Sequence, residues 1–191
     1  MVFSINYFTD IKQYDNDKLK NYLISELIDN TMDTLKEKKI EAVRKYMVEA
    51  VEKRNLPKDT LSLSPEKLVN ACEETGFDLP LLLAQAHLES CFGVTVRARK
   101  TNSVWSVGSE DGGKNRYTYK TQDESIMPYI KLMKDNYLDG KSVDDILKPG
   151  KFVNKNGHRY ARDPYYEVKV RSLRNKILKD YPELNEKEKE G

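Results

Sequence analysis

Cysteine is scarce in this chain. There are two, Cys72 and Cys91, with neither a C-x-x-C spacing nor a zinc pattern. Both fall in or beside apolar helical patterns, so two buried free thiols are the default, with a disulfide between them the alternative, and no metal or other cofactor is expected. Long apolar runs are also missing. None approaches the roughly 18 residues of a membrane span, so no membrane span is expected. A secretory leader is not visible either, because "MVFSINYFTDIKQYDNDK" carries acids where a basic region and an apolar core should stand. The expectation is a protein made in the host cytoplasm that reaches any external target by another route. Net charge is small, +2, which by itself implies no polyanionic partner. From Lys148 to Lys179 ten Lys or Arg face only two acids, Asp163 and Glu167. No aromatic-basic motif of a nucleic-acid module accompanies them, so a solvated basic face is expected and nucleic acid is not. There is no internal repeat.

What is present is tyrosine, with 12 copies against one tryptophan and five phenylalanines. Tyrosine suits cleft rims, where one edge is dry and the other wet. The length, 191 residues, suits one domain with an appended segment.

Helical punctuation is clear in several places. Residues 17–54 carry Leu19, Leu23, Leu27, Ile28, Leu35, Ile40, Val43, Met47 and Val51 at helical spacing, with a break expected at Asn30–Thr31. In "SPEKLVNACEETG", Ser64 is an N-cap, Pro65 suits the first turn and Gly76 the C-terminal cap. "DLPLLLAQAHLES" follows, capped by Asp78 and apolar nearly all round, which predicts a buried central helix. "SVWSVG" and "RYTYK", separated by "SEDGGKN", predict a small β-hairpin over 102–120. Thr121 and Glu124 predict a capping box for a helix that Pro128 should kink. Ser142–Leu147 reads as a short helix, the segment 148–164 as loop, and a last helix places Tyr166, Val170, Leu173 and Ile177 on one face. The outline is mainly α, with a small β-hairpin lobe facing the central helix across a cleft. The expected divisions are an N-terminal helical extension (1–60), a main domain (61–182) and a charged tail (183–191).

Glu89 stands out at the end of the apolar helix. A carboxyl there is poorly solvated, and the negative end of the helix dipole adds to the cost of its charge. A carboxylic acid kept protonated near neutral pH can donate to a leaving oxygen, which glycoside cleavage requires.

Four motifs in order carry a resemblance. Ala84, Gln85, Ala86, Leu88, Glu89, Ser90, Phe92 and Gly93 match the first. Asn102, Trp105, Val107 and Gly108 match the second; Tyr119, Thr121, Glu124, Ser125 and Ile126 the third; Tyr160, Ala161, Asp163, Pro164 and Tyr166 the fourth. Over residues 64 to about 180 the chain resembles the glucosaminidase branch of the lysozyme-like superfamily, which comprises peptidoglycan hydrolases, phage lysins among them. Cys91 stands where the pattern usually has glycine, and Phe92 where it usually has tryptophan. The resemblance implies an α+β lysozyme-like fold and a glycosidase acting on the β-1,4 backbone of bacterial peptidoglycan. Glu89 would be the catalytic acid, with Tyr160 lining the cleft and aiding the transition state. Asn102, Trp105, Tyr119 and Tyr166 would bind the sugar or hold the flap, with packing in the core of the small lobe an equal expectation for Trp105. A second carboxylate would come from Glu110 or Asp111; the alternative is one glutamate working alone, as in lytic transglycosylases. The N-terminal helices, lying outside the pattern, fit a phage virion component that uses them to attach to other virion proteins in the tail. The same fold could serve instead as an inactive structural part of the particle.

Overall fold

The structure, a computed structural model, describes residues 3–107 and 117–185; at 3–15 and 17 it describes the helical backbone alone. It is mainly helical. Helix α1 spans Phe3–Lys53 without interruption. The expected break at Asn30–Thr31 is absent. Thr31 and Thr34 turn their hydroxyls back onto the carbonyls of Leu27 and Asn30, at 2.7 and 2.8 Å. Polar side chains satisfied in this way let a helix continue through them.

The chain divides between Lys38 and Lys39 into two units. In the first, Leu19, Tyr22, Leu23, Ile24, Leu27 and Ile28 of α1 are exposed. The second unit starts well upstream of residue 61, where sequence alone placed the boundary. The reason is that Ala42, Val43, Tyr46, Met47, Ala50 and Val51, at helical spacing along α1, are buried in its core. At the other end Leu184 is buried within a 3-10 turn, Pro182–Asn185, so the core extends past residue 182; the charged residues 186–191 lie outside the described residues.

Helix α2, Pro65–Thr75, has the caps its sequence announces. Ser64 accepts the amide of Lys67, and Gly76 is left-handed at φ 64°. Helix α3, Leu79–Ser90, is capped by Asp78, which accepts the amide of Leu81 at 2.7 Å. Arg174 grips the same carboxylate through Nε and Nη2, at 3.1 and 2.7 Å. Every residue from Leu79 to Ala86 is buried. Each buried leucine contributes about 2 kcal/mol, so this stretch anchors the unit. Its main packing partner is α7, Tyr166–Asp180.

Helix α4, Val96–Thr101, follows the turn after α3. The β-hairpin expected next is not found: among the described residues there is no strand, and one isolated bridge, Val153 to Arg159, is the only pairing. Val104, Trp105 and Val107 are all buried, so the alternating pattern records core packing and not a ladder. The two flanks are joined instead by the amide of Tyr119, which donates to the Thr101 carbonyl at 2.9 Å, and by Asn102, whose Nδ2 donates to the carbonyls of Tyr119 and Lys120 at 3.0 Å each. The predicted turn lies outside the described residues.

Helix α5, Ile126–Leu132, begins late enough for Pro128 to fall in its first turn. An amide there has no helical partner, so proline is tolerated, which corrects the expectation of a kink. Thr121 accepts the amide of Glu124, while the Glu124 carboxylate reaches Lys120 N. A π turn over Met133–Tyr137 continues α5. Helix α6, Val143–Ile146, has a full capping box between Ser142 and Asp145. No helix among the described residues is long and apolar enough to cross a membrane.

Candidate active site

The chain reverses sharply just after Glu89. Cys91, Phe92 and Gly93 all have positive φ, at 50°, 59° and 82°. The amides of Cys91 and Phe92 close the helix end on the carbonyls of His87 and Ala86, both at 3.1 Å. A left-handed non-glycine residue costs roughly 1–2 kcal/mol, and at Cys91 a glycine would avoid that cost. Gly93 is held harder. Its amide donates to Ser90 Oγ at 2.7 Å, its carbonyl accepts from Gln122 Nε2 at 2.9 Å, and a Cβ there would overlap the Gln122 amide. This clamp fixes the last turn of α3 and with it Glu89.

The Glu89 side chain is mostly buried. Its Oε1 accepts from Tyr166 Oη at 2.6 Å. Tyr166 in turn accepts from Gln85 Nε2 at 3.0 Å, and Gln85 Oε1 accepts from Tyr129 Oη. Burial raises the pKa of Glu89 above the ordinary carboxylate value; the Tyr166 hydrogen bond and the positive charge of Arg97 pull the other way, and burial wins. Arg97 acts by its field and makes no ion pair with Glu89.

Glu89 borders a small pocket shared with Ser90, Thr95, Arg97, Thr101, Ser103 and Ser106. Its volume is about 20 Å³, room for about one water molecule. The segment expected to face Glu89 across a cleft, 108–116, lies outside the described residues. Glu89 is the one carboxylate among those lining residues.

The other expected residues are distributed as follows. Tyr160 is half-buried, its ring stacked between Phe152 and Tyr166 at centroid distances of 4.8 and 5.4 Å. It is thus one ring removed from Glu89, whose charge adds to burial in raising the Tyr160 pKa. Tyr166 was expected to bind sugar, but it is buried and acts on Glu89 from beneath. Trp105 is not placed for substrate at all. It is 1% exposed, stacks on Tyr129 at 4.8 Å and donates from Nε1 to the Leu82 carbonyl at 3.1 Å. Asn102 holds the returning chain by the two bonds described above. Tyr119 is half-buried, and its hydroxyl meets no hydrogen-bond partner among the described residues. Glu110 and Asp111 lie outside the described residues. His87 accepts or donates to Tyr46 Oη through Nδ1 at 2.7 Å, and burial, with Arg54 and Lys53 nearby, pushes its pKa down to about 4. It is neutral at physiological pH. Cys72 and Cys91 are buried free thiols. Gln85 and Tyr129 were not foreseen as parts of the site.

In the basic segment, Lys148, Arg159, Lys169, Arg174 and Lys176 each face an acid, which reduces its field toward a polyanion. No family model matches the chain, and no curated protein matches its sequence.

Proposed function

We propose that the chain is a lysozyme-like peptidoglycan hydrolase in which Glu89 is the general acid, carried in a phage particle to breach the cell wall. One observation carries the reading. Glu89 is a buried carboxyl with a raised pKa, bonded to a phenol instead of a cation, at the edge of a solvent pocket. In its protonated form such a group transfers its proton to the glycosidic oxygen as the C–O bond breaks, and the leaving sugar departs as an alcohol while the ring takes up positive charge. The carboxylate left behind is then stabilised by Tyr166 and Arg97. Water then adds to the ring carbon and gives its proton either back to Glu89 or to a second carboxylate from Glu110 or Asp111, which lie outside the described residues. The pocket is reached from the side where Arg97 is exposed and Thr95 and Ser106 are half-exposed. Tyr160, behind Tyr166, backs the site and does not touch the reacting atoms.

A second reading, a virion tail part without activity, is favoured by the exposed apolar side chains of α1. Six large ones fall between Leu19 and Ile28, a density that marks a contact surface more than a solvated helix. In this reading they attach the chain to other virion proteins.

Zymography on walls of the proper host separates the two. Wild-type protein is expected to clear the gel, and Glu89→Gln to abolish clearing. No clearing by folded wild type would leave the structural role.

A further inference from the structure

Gln85 lies one turn before Glu89 on α3, so the two share a face of an otherwise apolar helix. It is 0% exposed. A buried primary amide is costly unless paired, and both of its ends are paired. Tyr129, on α5 and also fully buried, donates to Gln85 Oε1. Gln85 Nε2 donates to Tyr166 Oη at 3.0 Å. Tyr166 Oη donates to Glu89 Oε1 at 2.6 Å. A phenol has one proton to give. Tyr129 gives its proton to the amide oxygen, which turns the amide nitrogen toward Tyr166. The Tyr166 oxygen is then already accepting, and its own proton points at Glu89.

We propose that Tyr129 and Gln85 are positioning residues that set the direction of the hydrogen bond reaching Glu89, so that Oε1 always accepts and the acid's proton resides on Oε2. The proton is thereby kept on the oxygen that the buried chain does not occupy. This rests on the reading of Glu89 as the acid. The opposite arrangement is chemically well formed. With the amide reversed, Nε2 would donate to Tyr129, Gln85 Oε1 would take the Tyr166 proton, and the Tyr166 oxygen would take the proton of Glu89. The acid would then be spent on a neighbouring phenol.

The two arrangements shift the titration of Glu89 in opposite senses when the phenol is removed. If Tyr166 donates, its bond favours the charged carboxylate, and Tyr166→Phe raises the pKa. If Tyr166 accepts, its bond favours the neutral acid, and the same change lowers it. The other groups facing Glu89 are Arg97 on α4, Tyr129 on α5 and Tyr160 in the segment before α7; Tyr160 stacks on Tyr166 at 5.4 Å, so Tyr160→Phe is titrated beside Tyr166→Phe as its control.

The test is a carbon-13 NMR titration of the side-chain carboxyls in the full chain, with Glu89→Gln used to assign the resonance. In Tyr166→Phe the Glu89 midpoint is expected to rise by roughly one pH unit, as for a lost hydrogen bond to a charged group. In the double variant Gln85→Met with Tyr129→Phe the rise should have the same sign and be smaller, because the phenol loses the donor that polarises it. That variant replaces both buried partners by apolar groups of similar shape, which limits the cost to folding and carries the test if Tyr166→Phe does not fold. A fall, or no movement, in a folded variant overturns the proposal. The readout is the carboxyl's own ionisation, so the result stands or falls separately from wall clearing.

Discussion

Two helix ends in this molecule each bury a glutamate, and they treat it differently. In the first turn of α7, Glu167 is 1% exposed and takes both its oxygens to Arg159 Nη2, at 2.8 Å each. The positive end of the helix dipole is on its side. In the last turn of α3, Glu89 meets the negative end of the dipole and has a phenol where Glu167 has a guanidinium. Burial alone therefore does not make a candidate acid. The partner's charge and the direction of the helix decide whether a hidden carboxylate is a structural anion or a proton store.

The largest effect that would test this contrast is on the α7 side. Arg159→Met should leave Glu167 buried without a cation and lower unfolding free energy by about 3 kcal/mol, read by urea denaturation at neutral pH. A loss near zero would mean that Glu167 does not depend on its guanidinium, and the contrast would fail. On the α3 side the sign reverses. The folded-state pKa of Glu89 lies above the ordinary 4.5, so its share of stability is intact at lower pH and is lost as pH rises through the raised value. Glu89→Gln should match wild type below the ordinary carboxylate range and be the more stable of the two at about pH 7.5. Thermal melts in both conditions check this, and a variant less stable at the higher pH would contradict it. Smallest is the contribution of Arg97. Arg97→Leu should raise the Glu89 midpoint by only about 0.3 unit, since the guanidinium is exposed and screened. The same titration in high salt should move wild type in the same direction, and a downward shift would show that Arg97 does not act as a cation toward Glu89.

Local features of the fold were legible where one residue type has one conformational use. Ser64, Pro65, Gly76 and Asp78 marked the ends of α2 and the start of α3 because caps are short-range. The hairpin over 102–120 was misread because alternation of apolar residues registers burial, whatever backbone supplies it. Val104 and Trp105 are adjacent and both buried, which a strand with one wet face would not allow. Asn30 and Thr31 were misread as a break because their polarity was weighed without the back-bonded hydroxyls. At the site, Glu89 was visible from its place at the end of an apolar helix. Gln85 was visible in principle, since four residues on a helix put it beside Glu89. Tyr129 was not, because the contact spans 44 residues of chain and no local pattern announces it. Trp105 shows the converse: an aromatic in a motif can serve the core beneath a site instead of its surface.

The two thiols have a practical bearing. Both are buried, and burial raises the pKa of each, which leaves little thiolate for alkylating reagents. A single cysteine introduced on the exposed part of α1 could thus be tagged with a fluorophore without first stripping out the native pair, and its emission would report when that helix meets another surface.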